Sequence, residues 1–432
     1  MSPIVHNQQN VVNDPLRGVE VLVQLVDAVG RTCGGKAGAL GALLRAGLPV
    51  PEGFVIPFTA YRAVVHDLDL GRLTGEPGGV DAARRAIAAR SFPGDLHDAV
   101  ARALEVLGDV AVAVRSWAGN EDTVRTSAAG QHESVLAVQG VDQVAHAVRT
   151  CWASLYSPGA VAYRETSADS RPAEEPVMGV LVQRQVDAEV SGVMFTSGGP
   201  DDVTEIEASW GLGPSVVGGT VTPDAYRVAA DGAVTRTVAD KGTRLDRHGT
   251  RLVTSDVLAS DRGRPTLDDA TAARLARLGQ CVAVVLGGAQ DIEWAFVDGR
   301  TWLLQARPIT AALPPPRSPS APGGSPATLT GTPGSRGTAT GTARVVRGPD
   351  DFARVVPGDI LVCPWTDPGW TPLLRIAAGV VTETGGVLSH AAIVAREHRI
   401  PAVLGIPDAT TTLHDAATIT IDGTAGTVTT HA

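Results

Sequence analysis

The stretch "ALPPPRSPSAPGGSPATLTG", from Ala312 to Gly331, limits what this chain can fold into more than any other segment. Proline fixes φ and lacks an amide hydrogen, so neither a helix nor a central strand runs through it. Little in it is apolar enough to bury. Its central part, about 13 residues at roughly 3.1 Å each if polyproline-like, reaches on the order of 40 Å. It reads as a semi-rigid tether, with a surface loop inside one domain as the alternative. A chain of 432 residues exceeds what one core sustains. The tether is therefore expected to divide a larger N-terminal part from a smaller C-terminal one.

The C-terminal part reads as short strands, "ATGTARVV", "DILVCPW", "GVVTE", "PAVLG" and "TITIDGTAGTVTT", with "AAIVAREHR" as its clearest helix. The N-terminal part mixes helical runs ("KAGALGALLRAG", "VDAARRAIAAR", "DAVARALEVLG", "VDQVAHAVRTCWASLY") with strands that concentrate after residue 175. The expected organisation is a tail at 1–18, subdomains at 19–178 and 179–311, the tether at 312–330, and a compact α/β domain at 331–432. The fold class is α/β and α+β, multidomain.

A formal charge of -10 argues against a nucleic-acid partner, which favours a basic face. No apolar run approaches the about 18 residues of a membrane span. The N-terminus "MSPIVHNQQNVVNDPLRG" has no apolar core of a signal peptide, so a cytoplasmic protein is expected. Cys33, Cys151, Cys281 and Cys363 are scattered and form neither a disulfide framework nor a zinc pattern. Lys36 and Lys241 are the only lysines; arginine fills the other basic positions. That usage draws attention to Lys36, while Lys241 reads as a surface residue.

"TETGGVLSHAAIVAREHRIPAVLG", Thr382 to Gly405, places His390 at the first turn of a helix behind a glycine loop. The amides and partial positive charge of a helix start suit an anion. The same dipole disfavours imidazolium, so the ring is neutral and nucleophilic near neutral pH. A phosphoryl group on that ring would meet the loop amides, Ser389 and Arg396. This chemistry suits a phosphohistidine intermediate. A helix-capping or ligand-positioning histidine is the plainer alternative.

A histidine that accepts phosphate needs a donor. Gly34, Gly35 and Lys36 open a helix, where amides and one ammonium can face phosphates; a surface turn explains the same pattern. Arg115 emerges from a β run, where its fork suits bidentate phosphate binding. In "DIEWAFVDGRTWLLQARPIT", Glu293 and Gln305 lie on paired strands and can share a face, with Arg307 two residues on. A carboxylate and an amide oxygen suit Mg²⁺. A hairpin carrying solvated polar groups is the alternative.

The His390 stretch resembles the swivelling phosphohistidine domain of the PEP-utilising enzymes, a family that includes PEP synthase, pyruvate phosphate dikinase and rifampin phosphotransferase. "TDPGWTPLL" and "IDGTAGTV" are similar to the same domain. "CGGKAGALGALLRAGLPVPEGFVI", "AVRSWAGNEDTVRTSAAGQHES", "VLVQRQVDAEVSGVMFT", "IEASWGLGPSVVGGTVTPD" and "DIEWAFVDGRTWLLQARPIT" resemble, in this order, the family's ATP-grasp nucleotide-binding domain. The resemblance implies phosphorylation of His390. It places Lys36, Arg115, Gln183, Glu293, Gln305 and Arg307 at the ATP site, with Glu293 and Gln305 on Mg²⁺. It also puts the glycines after Ile206 near the phosphates and offers Glu207 as a helper. The chain departs from the family at Trp117 and Asn120, where small residues are usual, and in "SAAGQ".

The resemblance implies an ATP-grasp domain of two subdomains, tethered to a small swivelling domain. The implied activity is a dikinase-type phosphotransferase: ATP phosphorylates His390, AMP and phosphate leave, and a small-molecule acceptor takes the phosphoryl group. The tether stands where rifampin phosphotransferase carries its drug-binding domain, and no PEP/pyruvate barrel follows His390. The expectation is therefore an antibiotic or natural-product alcohol or nitrogen as acceptor, bound between domains or on a partner protein. No nucleic-acid or membrane partner is expected. Two rivals remain: a phosphohistidine carrier acting on a partner chain, and an ATP-grasp ligase, which would yield ADP and be indifferent to His390.

Overall fold

The computed structural model describes residues 16, 18–119, 134–157, 159–161, 164, 175–196, 203–310, 313 and 328–431. Three β-sheets organise them, with a detached hairpin beside the second. The first is antiparallel, in the order β1 (Val23–Gln24), β2 (Gly53–Ile56), β5 (Met178–Arg184), β3 (Val112–Ala118), β4 (Ser134–Val138). Helices Phe58–Val65, Gly79–Ala88, Gly94–Val106 and Val141–Ser154 cover one face, where Phe54, Ile56, Tyr61, Trp152, Val180 and Val182 form the core. The next residue along β5, Leu181, points the other way into a second core. A strand buried on both faces reads as the unbroken apolar run "MGVLV".

The expected division at 178/179 falls inside β5, which is hydrogen-bonded on both sides within the first sheet. Residues 179–184 thus go with the first sheet. The expectation failed because a strand's own pattern does not say which sheet will take it.

The second sheet is also antiparallel, in the order β13 (Arg300–Pro308), β12 (Gln290–Val297), β6 (Val190–Phe195), β7 (Thr204–Trp210), β8 (Asp224–Val228), β9 (Val234–Thr237). The hairpin of β10 (Thr243–His248) and β11 (Arg251–Asp256) stands beside it. Helix Asp269–Leu286 packs across this sheet through Ala272, Leu275, Ala276, Gly279 and Val282, an i, i+3, i+4 stripe. Asp268 caps it by accepting the Thr271 amide at 2.7 Å. Helix Gly35–Arg45 joins the same core through Ala37, Leu40 and Leu43. It therefore wedges between the two units.

The third sheet is mixed, in the order β14 (Thr328–Thr330), β21 (Thr427–Thr430), β20 (Thr418–Asp422), β16 (Thr338–Val345), β17 (Ile360–Cys363), β18 (Gly379–Thr382), β19 (Ala402–Leu404), β15 (Thr332–Ser335). β16 to β19 run parallel where they pair, and "ILVC", "GVVT" and "AVL" are wholly buried. β20, "TITID", alternates and shows one wetter face. Most of the proposed tether lies outside the described residues, but 328–330 form β14 and belong to this sheet. No helix among the described residues is long and apolar enough to cross a membrane.

Candidate functional site

His390 is the first residue of helix His390–His398, after Ser389 at the N-cap. Its side chain is only 4% exposed. Nδ1 lies 3.2 Å from the Thr366 hydroxyl, and Nε2 has no hydrogen-bond partner among the described residues. The tautomer with a proton on Nδ1 lets that nitrogen donate to Thr366 and leaves an Nε2 lone pair free for attack. Burial, and then the positive charge of Arg307, lower the ring's pKa to about 4. Burial is the larger of the two causes. Thr366→Val should keep the fold and slow phosphorylation of His390 about tenfold, because an unheld ring samples both tautomers; stopped single-turnover labelling with ATP checks this.

Two sequence expectations around His390 change. Ser389 turns back, donating to the Gly386 carbonyl at 2.8 Å. Arg396 is half-buried; its Nη1 donates to Gly334 O at 3.0 Å and Val387 O at 2.7 Å. In this arrangement both side chains shape the loop instead of presenting themselves to a phosphoryl group.

The residues expected to hold nucleotide come from both N-terminal units. Glu293 on β12 pairs directly with Gln305 on β13, and a bulge follows Glu293. Directly paired residues project to one face, so a carboxylate and an amide stand side by side. Arg115 on β3 reaches across, its Nη1 3.4 Å from Glu293 Oε2 and 3.3 Å from the Leu304 carbonyl. Arg307 donates through Nε to Asp291 Oδ2 at 2.9 Å. That salt bridge holds the guanidinium whose charge acts on His390. Arg115, Glu293, Gln305, Arg307 and His390 thus form one connected region at the seam of three sheets.

Gln183 sits differently. It is buried on β5 and donates to the Pro51 carbonyl at 3.0 Å, so its amide nitrogen is spent on the fold.

Lys36 is the second residue of helix Gly35–Arg45, and its ammonium lies 4.9 Å from the centroid of the Trp117 ring. The same indole covers Gly34 and Gly35: a Cβ on either would collide with it, and Gly34 has φ +93°. The glycine pair therefore has a second physical reason, close packing under an aromatic ring. Trp117 is 5% exposed and shares a face of β3 with Arg115. The loop carrying Asn120 and "SAAGQ" lies outside the described residues.

The segment after Ile206 faces the His390 domain. Gly219 O accepts from Thr384 Oγ1 at 2.6 Å. Glu207, 4% exposed, accepts the amides of Val387 at 2.6 Å and Leu388 at 3.1 Å. Val193, Phe195, Val216 and Val221 pack against Leu388 and Ile393 around these bonds. Sequence reasoning noticed Glu207 without giving it a place, because its partners lie 180 and 181 residues away.

Lys241 is not a surface residue. Both it and Asp224 are 0% exposed, joined at 2.6 Å. No local pattern marks this pair, since the partner becomes a neighbour only when β8 and the segment after β9 fold together.

Residues 31–316 match the family described as "Pyruvate phosphate dikinase, AMP/ATP-binding domain", and residues 355–426 match "PEP-utilising enzyme, mobile domain". A probable phosphoenolpyruvate synthase of Methanothermobacter thermautotrophicus is 36% identical over 419 residues, covering 91% of this chain and 61% of the relative. The phosphoenolpyruvate synthase of Aeropyrum pernix is 34% identical over 459 residues, covering 91% and 56%. A probable phosphoenolpyruvate synthase of Archaeoglobus fulgidus is 34% identical over 422 residues, again covering 91% and 56%. The chain thus spans only about three-fifths of the length of these relatives. A nucleotide-binding part and a mobile part, matched in that order, show that the chain belongs to the family of PEP-utilising enzymes.

Proposed function

We propose that the chain is a dikinase-type phosphotransferase that moves the β-phosphoryl group of ATP through His390 to a small-molecule acceptor. The observation that carries this reading is the Nε2 of His390, buried, unpartnered and under the charge of Arg307 from the nucleotide-binding side. The fold reading is an ATP-grasp domain whose two units hold ATP between them, divided from the swivelling domain by the Pro-rich arm.

Lys36, Arg115 and Arg307 would hold phosphates, and Gln183, whose amide nitrogen is bonded to Pro51, would line the site through its side-chain oxygen. Glu293 and Gln305 would hold Mg²⁺: both are oxygen donors, they stand side by side, and Mg²⁺ favours few protein ligands plus phosphate oxygens. When bound, the ion would neutralise phosphate charge. Nε2 of His390 attacks the β-phosphorus, and the bond from that phosphorus to the α,β-bridging oxygen breaks, so AMP leaves. Water then cleaves the β–γ link, phosphate departs, and phospho-His390 remains. An acceptor oxygen or nitrogen finally takes the phosphoryl group, and the ring recovers its lone pair. Positioning and electrostatics would supply most of the rate.

The relatives' name makes an enol oxygen, giving phosphoenolpyruvate, one candidate acceptor; the alcohol or nitrogen of an antibiotic or natural product is the other. Incubation with β-³²P-ATP and Mg²⁺ tests the reading: acid-labile label on His390 together with AMP supports it. ADP without label would favour the ligase. Stable label that reaches no small molecule until a second protein is added would favour the carrier.

Trp117 gives a separate check. Phosphates that draw on the Lys36 ammonium compete with the indole it lies against, and that indole is packed on Gly34 and Gly35. ATP binding is therefore expected to change the fluorescence lost in Trp117→Phe. Trp117→Ser should lower the KM for ATP a few-fold, about three- to tenfold, by removing the need to displace the ring.

A further inference from the structure

We infer that Glu207 is a positioning residue, a carboxylate latch that registers the loop ahead of His390 on the nucleotide-binding side. Glu207 lies on β7, in the interior of the second sheet, and its carboxylate is enclosed by the interface. One oxygen takes the Val387 amide and the other the Leu388 amide. These amides are three and two residues before His390, on the loop that ends at its helix. Gly386 fits against the same carboxylate so closely that any Cβ there would collide with it. Two bonds and one steric stop fix the loop's position and leave His390 little freedom to shift against Arg307.

A carboxylate is a costly group to bury among Val193, Phe195, Val216 and Leu388 if the only need is adhesion. It is a suitable one for a joint that must open. On separation both the carboxylate and the amides regain water, so the bonds exchange instead of being lost. An apolar side chain of the same size would hold the units together more indiscriminately. The role deepens the phosphotransferase reading and rests on it for its catalytic consequence, but the docking itself can be measured without ATP.

Protons give the latch a signature. Burial raises the Glu207 pKa to about 7, against the pull of the two amides and of Arg396 from the His390 helix; Glu205 on its own strand adds to the rise. Docking therefore takes up a proton on Glu207 between about pH 4.5 and 7, and on this account alone weakens as pH rises. His390, faced by Arg307, has the opposite sign: docking expels its proton and weakens as pH falls from 6.5 towards about 4. Between about pH 4.5 and 6.5 the two oppose each other. Wild-type docking should be nearly level there. Glu207→Gln should leave the His390 dependence alone, losing up to about tenfold in docking per pH unit below 6.5.

Diethyl pyrocarbonate labelling, read at His390 by peptide mass, reports docking in the intact chain. In Glu207→Gln at neutral pH the rate should rise about tenfold, and further as pH falls below 6.5, once divided by the rate of a free histidine. Single-turnover phosphorylation by ATP and Mg²⁺ should slow about tenfold, with ATP affinity within about twofold of wild type. Glu205→Gln, two residues along the same strand and paired instead with Arg227, should leave labelling unchanged. Glu207→Gln is close in shape to Glu and serves where Glu207→Ala fails to fold. A folded Glu207→Gln that labels and docks like wild type overturns the latch. A wild type that shields His390 but never accepts label from ATP overturns the phosphotransferase reading alone, and the labelling series still decides the latch.

Discussion

His390→Ala is expected to abolish labelling of the chain by β-³²P-ATP and to cut AMP release by at least about 10,000-fold, the scale of losing a nucleophile. The substitution removes the ring and opens a space beside Thr366, but the surrounding core of Ala391, Ala392, Val394 and Ala395 is untouched. The variant should therefore bind ATP as wild type does, because the expected phosphate ligands lie on other elements. Equilibrium binding of a non-hydrolysable ATP analogue and a quenched-flow measurement of AMP separate the two effects. Unchanged AMP release would exclude His390 as the entry point for phosphorus. Loss of ATP binding together with chemistry would mean that the alanine disturbs the nucleotide side, and Arg307 would be the residue to suspect.

The second large effect is on stability. Asp224 is a buried hub: it accepts from Lys241 Nζ at 2.6 Å, the Ala239 amide at 2.9 Å, and the Thr266 amide and hydroxyl at 2.8 and 2.9 Å. Removing it leaves an ammonium without a counter-charge in a site that water does not reach. Breaking such a pair costs about 3–5 kcal/mol, which for units of this size means a fall of roughly 10 °C in melting temperature. Asp224→Ala should show that fall in calorimetry. Adding Lys241→Met should recover part of it, since the stranded charge goes and a linear apolar chain fills the space. A double variant as unstable as the single would mean that the loss lies in the Thr266 and Ala239 bonds. Functionally the hub matters because Asp224 pairs across the ladder with Ala208, next to Glu207.

What the chain declares by itself is mostly local. The parallel run of β17 to β19 and the helix behind His390 are legible because their apolar spacing is dictated by neighbours in sequence. The hairpin of β12 and β13 is legible for the same reason, but its short turn fixes the register only as far as Trp294 opposite Leu303; the bulge that follows, which no local pattern announces, brings Gln305 instead of Leu304 opposite Glu293. Helix Asp269–Leu286 is equally legible from its Asp268 cap and its 272, 275, 276, 279, 282 stripe. The Asp224–Lys241 pair, the amides on Glu207 and the indole over Gly34 are of another kind. Each depends on how separate strands and units come together, and a charged or aromatic residue does not say whether it will face water or a partner. Trp117 did stand out as a departure from the family's small residue, and that was the one available signal of its unusual contact.

β14 and β15 are consecutive strands with Gly331 alone between them, yet they occupy the two ends of the eight-stranded order. β14 bonds to β21 at one margin and β15 to β19 at the other. Force applied at Thr328 would thus reach both margins of the sheet within a few residues. A single short stretch of chain thereby clasps both edges of the unit that carries His390.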